Sequence, residues 1–426
     1  MTGAYPVAHR GLTPLSGFDT SRRLSVHYRV FSTVLHAATV KADELDRVSP
    51  TGASAFAGLL EKASQATLSA DEIVALVQGT RDAHNCDVLL DFASSLSRPH
   101  DREVLLLPPL YFSSICENRC AYCNFSHKGQ RLSVSEFERE LQFLLETGFR
   151  SIELVSGQDP ALYGHAPGFS LTGQAFDLSC VLPYFEVVAQ RLREAGGGML
   201  TTNVPPLDVP SMRQLKALGL DCFLVWQETF NPGQYEALHF AHGPKSNQAF
   251  RIDAMENARD AGIEHLAGAF LKGLYDWRKE EVVLYLFEAH LKAKYGRGFS
   301  IIGSPRVKGS FADSRLVRSY QVSDYDYEVN IALDRVIFDG ILWLQTRESF
   351  ETNLRLMERF GAGVILTIMS STAPGGYAEP ASSHAQFPVF KQDLDESVER
   401  LRRAGLEPVF DWDASDLTGF QRTTAG

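Results

Sequence analysis

The chain has 426 residues, 44% of them hydrophobic and 22% charged, with a net charge of −11 and an isoelectric point near 5.6. That balance supports a large core and excludes a broad nucleic-acid footprint, which needs a basic face. No apolar run approaches the ~20 residues of a membrane helix, and the opening MTGAYPVAHRG lacks the basic-then-apolar order of a secretory signal.

Residues 1–24 are polar and without period, and read as a flexible lead-in. Residues 25–100 carry helical patterning; in SADEIVALVQGTRD, Ser69 and Glu72 have capping-box spacing. From residue 104 short apolar runs alternate with amphipathic stretches. The runs are 104–112, 151–156, 198–203, 221–226, 264–271, 298–303, 341–346 and 363–369. Continuous rather than alternating hydrophobicity marks strands buried on both faces of a parallel sheet. Among the helices between them, SVSEFERELQFLLETGF opens on a Ser133–Glu136 capping box and puts Phe137, Leu141, Leu144 and Leu145 on one face. Eight runs match the count of an α/β fold, a (β/α)8 TIM-type barrel over 101–370, with 371–426 closing it. An open sheet of six or seven strands is the other arrangement this pattern allows.

In such barrels the chemistry lies at the C-terminal strand ends. The residues there are polar after apolar interiors: Gln158 and Asp159, Thr202 and Asn203, Gln227 and Glu228, Lys272, Ser304 and Arg306, Arg347 and Glu348, Ser370 and Ser371. After the first run come Cys116, Cys120 and Cys123. Six cysteines in the chain are too few for a disulfide framework, and clustered thiols point to a metal centre in a reducing, cytoplasmic compartment. Two centres suit the trio: zinc with His127 as fourth ligand, or an iron–sulfur cluster with one iron left open to a small molecule. Cys86, Cys180 and Cys222 read as buried thiols.

The spacing C-x3-C-x2-C, with Tyr122 before the last cysteine, resembles the radical S-adenosylmethionine (SAM) superfamily. PPLYFSSICENRCAYCNF, VWQETFNPGQY, LKGLYDWR, LQTRESFETNLRLMERFGAG, STAPGGYAE and AGLEPVFDWD narrow this over roughly residues 60–413. They are similar to the 2-iminoacetate synthases, the tyrosine lyases of thiazole biosynthesis. They are also similar to the hydrogenase-maturation tyrosine lyase and the tryptophan lyases of thiopeptide pathways. The hydrogenase-maturation lyase has a second cysteine cluster near its C-terminus, and this chain has no cysteine after Cys222.

The resemblance implies a [4Fe-4S] cluster on Cys116, Cys120 and Cys123, and SAM on its open iron. It places Tyr122, Gln158, Asp159, Asn203, Gln227, Glu228 and Arg306 toward SAM. It places Tyr111, Arg347 and Ser370 or Ser371 on the substrate, with Tyr111, Arg347 and Glu228 in catalytic positions. Arginine suits a carboxylate because its planar fork donates two parallel hydrogen bonds. Gln158 stands where the family carries a glutamate. The implied reaction is radical cleavage of the Cα–Cβ bond of L-tyrosine to 2-iminoacetate and p-cresol through a 5′-deoxyadenosyl radical. The alternatives are a tryptophan lyase or another transformation of an aromatic substrate and, from another class, a non-catalytic zinc or iron–sulfur protein. The implied partners are an aromatic amino acid, a flavodoxin- or ferredoxin-type reductant and a thiazole synthase, with neither nucleic acid nor membrane.

Overall fold

The computed structural model describes residues 35–420 except 99, 165–176, 240–243, 370, 380–384 and 391. The first strand, β1 (Glu103–Leu107), continues after one residue into β2 (Pro109–Ser113). Then follow β3 (Ile152–Ser156), β4 (Leu200–Asn203), β5 (Cys222–Leu224), β6 (His265–Gly268), β7 (Ile301–Gly303), β8 (Ile341–Leu344), β9 (Val364–Thr367) and β10 (Glu407–Val409). All eight predicted runs are strands, every ladder is parallel, and the order is β10-β1-β9-β8-β7-β6-β5-β4-β3-β2.

The run expected at 104–112 is split by Pro108. Leu107 pairs with Thr367 of β9, whereas Pro109 pairs with Glu153 of β3. β2 at one end of the order and β1, next to last at the other, are therefore joined through Pro108, and the sheet curls back on itself there. Proline has no N–H to donate to a ladder; its carbonyl instead accepts from the backbone of Glu153 at 3.2 Å.

Alternation along each strand then sorts side chains into two layers. Leu105, Leu107, Leu224, Ile301, Ile341, Trp343 and Ile365 turn inward and pack together, while Leu106, Leu154, Phe223, Leu266 and Leu366 join the outer core under the helices. The bottom of the interior is plugged by Trp412 and Leu417, and the Trp412 indole donates to the Leu106 carbonyl at 2.9 Å.

The N-terminal extension forms α1 (Ala53–Ala63), α2 (Ala70–Gly79) and α3 (Ala83–Ser95). Both expected capping boxes are present, at Ser69–Glu72 on α2 and at Ser133–Glu136 on α4 (Val134–Glu146); each such cap is worth about 1 kcal/mol. Arg278 joins the extension to the barrel by two bonds to Thr80, at 3.0 and 2.9 Å. Among the described residues no helix is long and apolar enough to cross a membrane.

Candidate active site

At the strand ends lies a cavity of about 1040 Å³, part of it open to solvent. Cys116, Cys120, Cys123 and Tyr122 line one wall. Tyr111, Gln158, Asn203, Glu228 and Arg347 reach it from β2, from the loops after β3, β5 and β8, and from the end of β4.

The cysteine loop is held from three sides. Ala121 N–H donates to the Leu238 carbonyl at 3.0 Å, fixing the loop to the short helix Pro232–Leu238. His239 caps that helix, accepts from the Tyr122 hydroxyl at 2.6 Å and donates through Nδ1 to the Tyr235 carbonyl at 2.8 Å. Burial pushes its imidazole down to about 3, so it stays neutral in this role. From the β3 side, Gly157 packs so tightly that a Cβ would lie 2.4 Å from the Ile115 carbonyl oxygen and 3.0 Å from the Cys116 Cβ. This explains the glycine in SGQDP.

The donor set fits an iron–sulfur cluster better than zinc. His127 is exposed and does not line the cavity, and among the described residues no three His, Cys, Asp or Glu side chains close on a single ion. Cys116 Sγ accepts from the Gln158 backbone at 3.4 Å and from Asn118 Nδ2 at 3.6 Å, bonds that favour a thiolate. Burial pushes the Cys116 thiol up and the Cys123 thiol up to about 12; a metal centre supplies the positive charge that deprotonates such thiols.

Gln158 is tied into this wall. Lys245 N–H donates to Asn118 Oδ1 at 2.9 Å, which fixes the orientation of that amide. Asn118 Nδ2 must then donate to Gln158 Oε1, at 2.9 Å. One carbonyl lone pair of Gln158 remains for a ligand, beside an amide N–H2.

Glu228 is set by backbone strain. Its φ is +67°, rare for a residue with a side chain. The carboxylate of Glu280 holds the next residues in place, bonding Thr229 Oγ1 at 2.6 Å and Phe230 N–H at 2.7 Å. Glu228 Oε1 then meets Lys245 Nζ at 2.6 Å and Arg251 Nη2 at 3.2 Å. Burial alone would raise its pKa, but these two cations outweigh burial and bring it down to about 2.

Across the cavity, the Tyr111 hydroxyl donates to Gln386 Oε1 at 3.0 Å. The Arg347 guanidinium lies 3.6 Å from the centre of the Phe387 ring, with no carboxylate partner among the described residues. Burial lowers its pKa, the direction expected of a cation without a neutralising neighbour. The PGGY segment behind this wall is clamped by Glu140, whose carboxylate accepts the backbone N–H groups of Tyr377, Ala378 and Glu379 at 2.8, 3.2 and 2.8 Å. Gly375 and Gly376, at φ of +80° and +103°, permit that turn.

Four of the expected site residues do not face the cavity. Asp159 is wholly buried, accepting from Arg131 Nε and Nη2 at 2.6 and 2.7 Å and from Ser113 Oγ at 2.7 Å. Gln227 donates from its side chain to the Val225 carbonyl at 3.3 Å. Arg306 makes a bidentate pair with Glu348 at 2.8 and 2.6 Å and also bonds Asp324 at 2.7 Å. Ser371 bonds the nearby Ala373 carbonyl at 2.9 Å, and Ser370 lies outside the described residues. Cys180, expected to be buried, is exposed. Residues not foreseen at the cavity include Glu153, Trp226, Lys245, Arg251 and Trp343. The alternation of β3 and β8 was the available signal for Glu153 and Trp343; nothing local marks Lys245 or Arg251.

The radical SAM superfamily model matches residues 110–286. The 2-iminoacetate synthase of Escherichia coli (strain K12) is 29% identical over 373 residues, 83% of this chain and 90% of that protein. That of Salmonella typhimurium is 28% identical over 366 residues, 82% and 89% of the two chains. Among solved structures, the FeFe-hydrogenase maturase HydG from Carboxydothermus hydrogenoformans matches with a TM-score of 0.75 at 24% identity, covering 92% of this chain and 87% of that one, a likeness of fold. The chain carries a radical SAM domain and is similar over most of its length to the 2-iminoacetate synthases.

Proposed function

We propose that the enzyme is a lyase that cleaves the Cα–Cβ bond of L-tyrosine to 2-iminoacetate and p-cresol. The observation that carries this reading is Arg347, an arginine with no carboxylate partner among the described residues, in the same cavity as the three thiols. A partly buried cation with no carboxylate partner among the described residues is poised for an anionic ligand, and a free amino acid brings a carboxylate. Cys116, Cys120 and Cys123 would hold a [4Fe-4S] cluster, with S-adenosylmethionine beside Gln158, Asn203 and Tyr122. Together these groups supply one-electron chemistry that removes a hydrogen atom from the substrate.

The chain's own residues orient and exclude. Arg347 holds the substrate carboxylate in its fork, and Tyr111 stands at the amino end with its hydroxyl fixed by Gln386. Glu228 is kept ionised by Lys245 and Arg251, and the three form a fixed charged group on the cavity wall. Error in this placement is costly, since 1 Å can change a rate about a hundredfold. A flavodoxin- or ferredoxin-type reductant, a thiazole synthase partner and a cytoplasmic setting complete the proposal, on the likeness to 2-iminoacetate synthases.

The test is anaerobic reconstitution with iron and sulfide, followed by dithionite, SAM and either tyrosine or tryptophan. p-Cresol and glyoxylate, in step with 5′-deoxyadenosine, are expected from tyrosine. 5′-Deoxyadenosine with neither amino acid cleaved overturns the lyase reading while leaving the radical SAM assignment intact.

A further inference from the structure

Of the charged side chains lining the cavity, Lys245 and Arg251 are both paired with Glu228, and Arg347 is assigned to the substrate carboxylate. Glu153 remains. Its neighbours Ile152 and Leu154 pack outward under the helices, so strand alternation turns Glu153 inward together with Val155. It pairs in register with Pro109 of β2 and Thr201 of β4, three residues before the strand ends at Ser156. That is roughly 10 Å below the mouth. The side chain has no cation partner among the described residues. Its one hydrogen bond there is long, 3.4 Å from Asn203 Nδ2.

The cavity that this carboxyl faces also has aromatic walls. Trp226 and Trp343 line the same cavity, with ring centres 5.5 Å apart at 58°. The Trp343 indole N–H is already engaged by Thr367 Oγ1 at 2.7 Å, so it is not offered to a ligand. A slot built only to hold an apolar ring needs no carboxyl, and burying one without a strong partner costs several kcal/mol. Burial pushes this carboxyl up to about 8.

We propose that Glu153 is the specificity-determining residue at the deep end of the substrate cavity, accepting a hydrogen bond from a donor on the substrate's aromatic side chain. Two side chains carry that chemistry: a phenol through its hydroxyl and an indole through its N–H. The inference rests on the reading of an aromatic amino acid held at its carboxylate by Arg347, and it extends recognition to the other end of the molecule. A pocket that bonds a substrate hydroxyl or N–H rejects the analogue lacking it, because its own polar group is left unpaired.

The test uses the full chain, reconstituted anaerobically with cluster and SAM. 5′-Deoxyadenosine formation is followed with L-tyrosine, L-tryptophan, L-phenylalanine and L-lysine, for the unaltered protein, Glu153→Gln and Glu153→Leu. The better of tyrosine and tryptophan should exceed phenylalanine in kcat/KM by about a hundredfold or more, and which of them wins separates phenol from indole. Glu153→Gln, which keeps an acceptor oxygen, should retain most of that ratio. Glu153→Leu should collapse it to within about threefold, mainly through KM, with iron and sulfide content and the reduced-cluster EPR signal as in the unaltered protein.

A ratio preserved in Glu153→Leu overturns the role of Glu153 and leaves the lyase reading standing. So does phenylalanine matching tyrosine in the unaltered protein, whereas lysine matching it overturns the aromatic substrate as well. 5′-Deoxyadenosine at background with all four amino acids overturns both. If the Leu variant fails to hold its cluster, Glu153→Asp decides. Withdrawing the carboxyl by one methylene should lower the ratio about tenfold, and an unchanged ratio overturns the proposal.

Discussion

At the ends of β6 and β7, Lys272 and Arg306 are buried as deeply as any charge in the molecule, yet neither faces the cavity. Lys272 Nζ lies 3.3 Å from Glu281 and 3.8 Å from Asp334, over the Phe270 ring at 4.3 Å. Arg306 is matched by Glu348 and Asp324 and stacks on Tyr327 at 4.4 Å. Across the mouth, Arg347 and Glu153 have no such counter-ions among the described residues. Arg347 and Arg306 are the same residue type just beyond neighbouring strands, and they differ in that only Arg306 is enclosed and paired. A charge that the fold satisfies is part of the barrel wall, whereas one left open toward a cavity is available to a ligand.

Several changes would break or sharpen that contrast. The largest effect belongs to the cysteine wall: serine at Cys116, Cys120 or Cys123 should lower 5′-deoxyadenosine formation at least about a thousandfold, by loss of the site that holds the chemistry. Iron and sulfide analysis after reconstitution checks it; a fully loaded, active Ser variant would remove that cysteine from the site.

Next come the paired and unpaired arginines, which should fail in opposite ways. Arg347→Ala should cut kcat/KM by about 10²–10³-fold through lost charged hydrogen bonds, with little change in the urea midpoint. Arg306→Ala leaves the buried Glu348 with Lys308 alone, at 3.2 Å, and should destabilise by about 1–3 kcal/mol, read as a lowered urea midpoint. Equal stability losses in the two variants would erase the distinction.

Glu153 and Glu228 provide a pH-dependent contrast. Glu153 keeps its proton up to about 8 when folded but releases it near 4.5 when unfolded. Stability therefore falls as pH rises from 4.5 toward 8, and Glu153→Gln should gain on the unaltered protein across that window by at most about 5 kcal/mol. Glu228, brought down to about 2, has the opposite sign. Its contribution is full above 4.5 and is lost as pH falls from there toward 2, so Glu228→Gln should flatten the acid limb. Urea midpoints at several pH values test both signs.

The smallest expected effect is at Tyr122→Phe, which removes the hydroxyl bond to His239 and should cost about 1 kcal/mol with the cluster retained. Loss of the cluster in this variant would make Tyr122 a determinant of the metal site rather than a brace.

Much of the architecture was legible in the chain. The eight continuous apolar runs could be strands only in a sheet covered on both faces, and the Ser–x–x–Glu caps marked two helices directly. Two features escaped this reading for local reasons. Pro108 sits inside an apolar run, so the division between β1 and β2 shows only in their different partners. The last strand, Glu407–Val409, is three residues long with a charged residue and a proline, too short for any period to register.

For the site, sequence alone determined that three thiols lie after the first strand, that polar residues crown the others, and that these motifs resemble one enzyme group. Residue type and spacing along a chain suffice for that. Only the tertiary structure decided which crowning residues face the cavity, because a strand end offers both an inward and an outward direction. Asp159 and Arg306 turned to Arg131 and Glu348, partners at sequence separations of 28 and 42 that no local pattern discloses. The same long-range folding brought Lys245 and Arg251 onto Glu228 and left Arg347 and Glu153 open. Whether a buried charge is satisfied depends on what approaches it in space, and that is settled when the sheet closes.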